Sequence, residues 1–376
     1  MYMKKLNYSK DRLAEARDIR ERWYNHEPVE RLPFSFSVNA PFANSWMGGN
    51  PYNFKEMCDS SKKAVEGIIL SMQHQFDTFP DCDYLPAMIL FYMGEGILAS
   101  LYGAKQLVVE RDPPYTEGRL FVDIYEAQNL SNDFEIEDTE WGKKLKEHVE
   151  CFMDATNGEI PVGPPDYQSP YGTATKLMPN EELMIAMYDE PELVHNFLQH
   201  VTDGIIKLTE AMEKWVGPGL YAKNLSNAIP GKCGFMIWDD YISVLTPSLH
   251  TEFCAPQNRR LYKKYGGGHL HTCGPYFPGY IDACLACSPD SMDVSIMRGM
   301  GKTREDMLTF VDITKKHDIR LFGNISTNDV HVFNDAWKNP DDEMFFTFIN
   351  GGWMPNGSGT YEEGLMFKDK IMNITV

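Results

Sequence analysis

Tyr265-Gly-Gly-Gly268-His269-Leu-His271-Thr-Cys273-Gly274-Pro275 decides how the rest of the chain is read. If the segment is a strand, alternate side chains share a face, so His269, His271 and Cys273 line up on one side. The Gly274-Pro275 pair ends the strand, which leaves His271 and Cys273 at its carboxyl end. Enzymes built on parallel sheets keep their chemistry at that end. An imidazole beside a thiolate is a borderline-soft donor pair suited to zinc. The bland alternative is a core histidine and a buried free cysteine, and the surrounding chain has to decide between them.

Strand-like and helix-like segments alternate along all 376 residues, without internal repeat, low-complexity tract or linker. The polar segment 9–24 is expected to be helical. Arg31-Leu-Pro-Phe-Ser-Phe-Ser-Val38 reads as the first strand, 54–76 as a long amphipathic helix, and 76–79 as a short second strand. Residues 89–102 look helical. Segments 106–110 and 119–123 flank Pro-Pro-Tyr-Thr-Glu-Gly and suggest a hairpin. A charged helix follows at about 138–154. Further strands are expected at 159–163, 234–238, the His-Leu-His-Thr-Cys segment, 291–296, 319–323 and 351–354. Helices are expected at 179–216, broken near Asp189-Glu-Pro191, and from Pro247 at a first helical turn to about 264. Eight strands with intervening helices indicate one (β/α)8 TIM barrel spanning 1–376. It has an N-terminal helical extension and a β-hairpin insertion after the second strand, at about 104–154.

With 43% hydrophobic residues the chain can bury a large core. Its net charge of −19 argues against nucleic acid or an anionic membrane as partner. No apolar run approaches a bilayer span, and the lysine-bearing N-terminus lacks the apolar core of a secretory signal. Eight cysteines without framework spacing point to reduced thiols and a cytoplasmic location. The 21 methionines read as soft core filling. Cys284-Leu-Ala-Cys287 has knuckle spacing but no second pair, so two buried thiols on an outer helix are expected there. Cys58, Cys151 and Cys254 are read the same way, while Cys82 and Cys233 stay open.

Polar residues cluster just after the proposed strands. They are Asn39, Asp81 and Asp83, Asp166 and Tyr167, Asp239 and Asp240, His271 and Cys273, Asn324 and Ser326, and Asn356 and Ser358. In a barrel these converge on one mouth, although loops and helix caps favour the same residue types. Asp239-Asp240 is more specific. Two adjacent carboxylates at a strand end can ligate metal, take a proton or grip a cation. Alternation sends only one of them inward, leaving the other to cap the next helix.

These pieces together resemble the uroporphyrinogen decarboxylase superfamily. Trp238-Asp-Asp-Tyr-Ile-Ser-Val-Leu-Thr-Pro247 is similar to its acidic strand followed by a Leu-Ser-Pro helix start, and that alignment makes Asp239 the inward residue. Gly323-Asn-Ile-Ser326, Val162-Gly-Pro164 with Gly172-Thr-Ala174, and Asp189-Glu-Pro-Glu-Leu-Val194 resemble further family segments in the same order. Within the superfamily, His271-Thr-Cys273-Gly274 resembles the zinc-binding His-x-Cys-Gly of corrinoid-dependent methyltransferases.

The resemblance implies methyl transfer between a small substrate and the cobalt of a corrinoid (cobalamin) carried by a partner protein, with zinc activating the methyl-bearing group. It implies His271 and Cys273 as metal ligands with Asp239 as a candidate third. It further implies Asp239 and Asp240 as catalytic carboxylates, and Tyr167, Asn324, Asn356 and Ser358 as substrate contacts. A homodimer is a frequent assembly in the superfamily. The family's third zinc-binding Cys falls here on Gly357, within Pro355-Asn-Gly357-Ser358, which puts the ligand set and the thiol substrate in doubt. Two alternatives remain open at this point. One is a decarboxylase that holds pyrrole nitrogens on Asp239. Against it, the 39–49 segment lacks the arginines that a polycarboxylate substrate needs. The other is a non-catalytic barrel that binds a tetrapyrrole or the corrinoid partner.

Overall fold

The computed structural model describes residues 6–25, 27–30, 33, 36–37, 50–217, 234–272, 279–296, 313–314, 316–325 and 345–350. Its frame is a parallel sheet. Strands β1 (Phe36–Ser37), β4 (Phe235–Trp238), β5 (Gly268–Thr272), β6 (Ser291–Ile296), β7 (Arg320–Ile325) and β8 (Phe345–Asn350) lie in the order β1-β8-β7-β6-β5-β4. Every residue of β4 is buried, as expected of a parallel strand covered on both faces. Two parallel bridges extend the series: Gln168 pairs with Trp238 at the β4 edge, and Val162 pairs with Met88. The segments around Val162 and Met88 thus occupy the third and second places. This is the cyclic order of a (β/α)8 barrel. The pairing that would close the ring, between β1 and the Met88 segment, is not among the described contacts.

The helices follow their apolar spacing. Helix α1 (Lys10–Tyr24) starts at Ser9, whose hydroxyl accepts from the Arg12 amide. The expected single helix at 54–76 is two helices, α2 (Phe54–Asp59) and α3 (Ser61–Thr78). Asn53 and Glu56 form a reciprocal capping box on α2, and the extended backbone of Ser60 breaks the chain so that it can cap α3. Helix α4 (Ile97–Leu101) is short and lies beyond the glycines 94 and 96, and α5 (Ile124–Ala127) is a single turn capped by Asp123. Helix α6 (Glu140–Thr156) buries Trp141, Leu145, Val149 and Phe152 on one stripe. Helices α8 (Asn180–Asp189) and α9 (Pro191–Val216) break where expected, at Glu190-Pro191.

Two expectations need correction, and a third falls outside the described residues. Residues 76–78 are the last turn of α3, not a strand, because the helical period runs on through Met72 and Gln75 until Phe79 caps it before Pro80. The expected strand at 351–354 lies outside the described residues, and a strand, β8, forms just before it at Phe345–Asn350. Aromatic and β-branched residues favour a strand there, and glycine weakens one. The hairpin exists but is shifted. Strand β2 (Lys105–Leu107) pairs antiparallel with β3 (Tyr115–Glu117), so Tyr-Thr-Glu is strand and 108–114 is the connection. Gly118, at φ +75, ends it. The hairpin lies between the Met88 and Val162 segments, after the second strand position. Among the described residues no helix is long and apolar enough to cross a membrane.

The segment from Pro247 to Tyr265 is helical throughout, as expected, but not uniformly so. It comprises α10 (Pro247–Leu249), a π turn at His250–Cys254, and α11 (Ala255–Tyr265). Thr246 caps it, accepting from the Leu249 amide. Pro256 has no amide hydrogen and its ring crowds the carbonyl one turn back. The wider π turn immediately precedes it.

Candidate functional site

Two polar groups form where the third, fourth and fifth strand positions end. Both depend on strand alternation at Asp239-Asp240.

The first group centres on Asp166, which follows the Val162 segment and is buried. The Gln168 side-chain amide donates to Asp166 Oδ1 over 3.0 Å. Burial pushes the Asp166 carboxyl up to about 7. Gln168 and His271 oppose that rise, while the charges of Glu95 and Asp240 add to it. Glu95 in turn accepts from Lys176, in helix α7 (Pro170–Leu177), over 2.5 Å. Asp166, Asp240, Glu95 and His271 therefore share one electrostatic neighbourhood at the carboxyl ends of the strands. The arrangement can hold a proton on Asp166 near neutral pH and can attract a cation.

The second group lies on the other side of β4. Asp239 is fully buried, and its backbone amide donates to the His271 carbonyl over 2.9 Å. Its carboxylate turns towards the 247–265 helix. Oδ2 is 2.9 Å from His250 Nε2 and accepts from Asn258 Nδ2 over 2.7 Å. Burial alone would raise the Asp239 carboxyl. The charge and hydrogen bond of His250, with smaller help from Asn258 and Ser169, outweigh it and hold the group below the usual carboxylate value. The same Asn258 nitrogen is 3.5 Å from the thiol of Cys287. Cys287 directly follows helix α12 (Tyr280–Ala286). Asp239, His250, Asn258 and Cys287 are all fully buried.

The structure thus reverses the expected division of labour between the two aspartates. Asp239 faces the helix, and Asp240 shares the neighbourhood of Asp166 and His271. Nor does Asp240 cap the next helix, since Thr246 does. Of the expected zinc ligands, His271 is half-buried on β5, Asp239 turns away from it and bonds His250 and Asn258 through Oδ2, and Cys273 lies outside the described residues. Tyr167 is not open to a substrate: it is fully buried and its ring stacks on Phe235, centroids 5.4 Å apart. Alternation explains this, because Asp166 and Gln168 take the other face. Asn324 lies on β7, paired with Ser295 and Phe348. Asn356 and Ser358 lie outside the described residues. Asp83 is fully buried and receives Arg12 Nη2 at 3.1 Å, tying α1 to the body of the fold.

Sequence reasoning missed Glu95, Gln168 and Lys176, which sit on segments that gave no motif. It also read Cys287 as an inert core thiol, and it did not single out His250 or Asn258. Among the described residues no cysteine forms a disulfide.

No family model matches the chain. No curated protein matches it either. Among solved structures it is similar to a methyltransferase from Methanosarcina mazei, with a TM-score of 0.64 and 13% sequence identity. The match covers 95% of this chain and 98% of that one. At this identity the likeness shows a shared fold over nearly the whole length.

Proposed function

We propose that this protein is a methyltransferase on a closed (β/α)8 barrel of the uroporphyrinogen decarboxylase type. It would move a methyl group between a small substrate and the cobalt of a corrinoid held by a partner protein. The observation that carries the reading is the buried Asp166 carboxyl beyond the Val162 segment, bonded by Gln168 and coupled in charge to Asp240, Glu95 and His271. The carboxyl ends of the strands are the face on which such barrels keep their sites. The full-length likeness in fold to a methyltransferase supports it.

The residue types here suit a divalent ion, but among the described residues no three of their ligand atoms lie close enough to hold one, so a further donor is needed. An imidazole set among carboxylates is an N/O donor group of the kind catalytic zinc uses. His271, Cys273 and Asp240 would hold the ion, with Asp240 in the place first expected for Asp239. Bound zinc would polarise the methyl-bearing heteroatom and stabilise the negative charge left on it as the methyl group departs.

The chain's own residues supply the rest. Asp166 holds a proton near neutral pH and delivers it to the heteroatom that loses its methyl group. Gln168 fixes the carboxyl for that delivery, and the Glu95–Lys176 pair fixes the edge of the group. Methyl transfer is an in-line displacement, so alignment of donor and acceptor dominates the rate. The decarboxylase alternative needed Asp239 to hold pyrrole nitrogens, and that carboxylate is buried against His250 and Asn258.

The test is methyl transfer from methyl ethers, methylamines and methylthiols to cob(I)alamin, followed by the absorbance change of cobalt methylation. Zinc-loaded wild type should turn over at least one class, and His271→Ala should lose the activity. Porphyrinogen decarboxylation without methyl transfer from any class would overturn the reading.

A further inference from the structure

We propose that Asp239, His250 and Cys287 form a second metal site, buried between the sheet and its outer helices and distinct from the strand-end group. It goes beyond the methyl-transfer reading and stands whether or not His271 binds an ion.

Each of the three residues offers one ligating atom, and these atoms all lie within 4.8 Å of one another. A tetrahedral zinc ion with bonds near 2.0 Å to N or O and 2.3 Å to S needs ligand separations of about 3.3–3.6 Å. Small side-chain movements therefore close the set. A carboxylate, a thiolate and a neutral imidazole sum to two negative charges, which a divalent cation cancels. That balance matters, since all three side chains are fully buried and an uncompensated charge there is expensive.

Two further observations point to a ligand. Asp239 Oδ1, His250 Nδ1 and Asn258 Oδ1 are buried polar atoms that make no hydrogen bond of regular geometry. Three such atoms in one enclosed cluster are unusual, since buried polar groups are nearly always satisfied. Asn258 also holds both anionic ligands in place, its Nδ2 lying 2.7 Å from Asp239 Oδ2 and 3.5 Å from Cys287 Sγ. Residues that orient ligands in this way are a regular part of metal sites. His250 itself is the first residue of the π turn, and π turns inside α-helices frequently mark functional positions.

The ligands come from three separate places: the end of β4, the 247–265 helix and the end of α12. Zinc bound there would be enclosed as the chain folds and would tie these elements together, so its binding energy would be folding energy. The thiol proton leaves when the ion binds.

The experiment measures zinc in purified full-length protein after extensive dialysis, for three chains. They are wild type, His271→Ala/Cys273→Ala, and Cys287→Ser. The strand-end double variant should retain about one zinc per chain, while Cys287→Ser should lose that ion. Cobalt substitution of the double variant should give a thiolate-to-metal charge-transfer band. Cys287→His, which keeps a zinc-binding group, should restore the ion. A double variant with no metal and no charge-transfer band overturns the proposal, as does undiminished zinc in Cys287→Ser. If Cys287→Ser fails to fold, the cobalt spectrum of the double variant decides. Metal that disappears only with His271 and Cys273 would leave the methyl-transfer reading intact and remove this one.

Discussion

Replacing Asp166 with asparagine should make the folded protein more stable, and more so as the pH rises. In the folded chain burial, Glu95 and Asp240 hold the Asp166 carboxyl at about 7, against an ordinary value of 3.8. A raised carboxyl pKa means that the native state prefers the protonated form. Below the unfolded value there is no cost, because both states carry the proton. Between the two values the unfolded state releases its proton while the native state keeps it, so stability falls as pH rises. Above about 7 the loss is complete.

The gap of about 3 units corresponds to roughly 4 kcal/mol at about pH 8 and roughly 1.5 kcal/mol at about pH 5. An asparagine side chain has the same shape, keeps a group for Gln168 to bond, and carries no charge to desolvate. The stabilisation conferred by Asp166→Asn should therefore be about 2.5 kcal/mol larger at about pH 8 than at about pH 5. The assay is urea denaturation of wild type and variant in chelator at both pH values, with carboxylic-acid infrared absorbance as a direct check on the proton. Equal effects at the two pH values, or a variant that is less stable at the alkaline one, would refute the account of Asp166. Added zinc should shrink the difference if the ion binds beside it.

Three further outcomes are expected. His250→Leu strands the Asp239 carboxylate in the interior and should cost about 3–5 kcal/mol in chelator, whereas Asp239→Leu/His250→Leu should cost less; a double variant worse than the single one would contradict the pairing. His148, whose Nδ1 lies 2.7 Å from the Tyr92 hydroxyl, is held by burial at about 4, below its usual 6.5. Its contribution is therefore full above about pH 6.5 and lost as pH falls towards about 4, by roughly 3 kcal/mol in all. Acid unfolding should shift to lower pH in His148→Phe, and an unchanged acid limb would argue against it. Arg12→Ala removes the guanidinium from the buried Asp83 carboxylate and should cost about 1–3 kcal/mol, seen as faster proteolysis within α1; unchanged cleavage there would sink the claim that this pair anchors the helix.

Periodicity reports the elements that bury an apolar face. The α6 stripe of Trp141, Leu145, Val149 and Phe152, the break at Glu190-Pro191 and the start at Pro247 are all legible in the order of the amino acids. The second strand position is not. Its described bridge is a single residue, Met88, in a segment with no alternation, so the 76–79 run reads as the better strand. Strand β8 at Phe345–Asn350 is likewise missed by a reading that starts at the Gly-Gly pair. His271 is legible because a strand followed by Gly-Pro marks its own end. The Asp239-Asp240 pair is legible as a pair, but which member faces which side depends on one residue of register, and an alignment on Pro247 chooses the wrong one. Asp166 lies in a loop whose composition suggests capping. Only burial of its carboxyl, a tertiary property, sets it apart.

The π turn at 250–254 also works as a phase shifter. In a regular α-helix residues eight apart, such as His250 and Asn258, point about 80° away from each other. A π turn absorbs one extra residue, which makes the effective spacing seven and the divergence only about 20°. Both side chains then aim at the one Asp239 oxygen. Rewinding that turn as regular α-helix with every residue kept would swing Asn258 about 100° around the axis, whereas deleting one residue within it would leave the pair aligned. The alignment of the pair is therefore set by the winding of that turn, which no comparison of side-chain identity at either position would reveal.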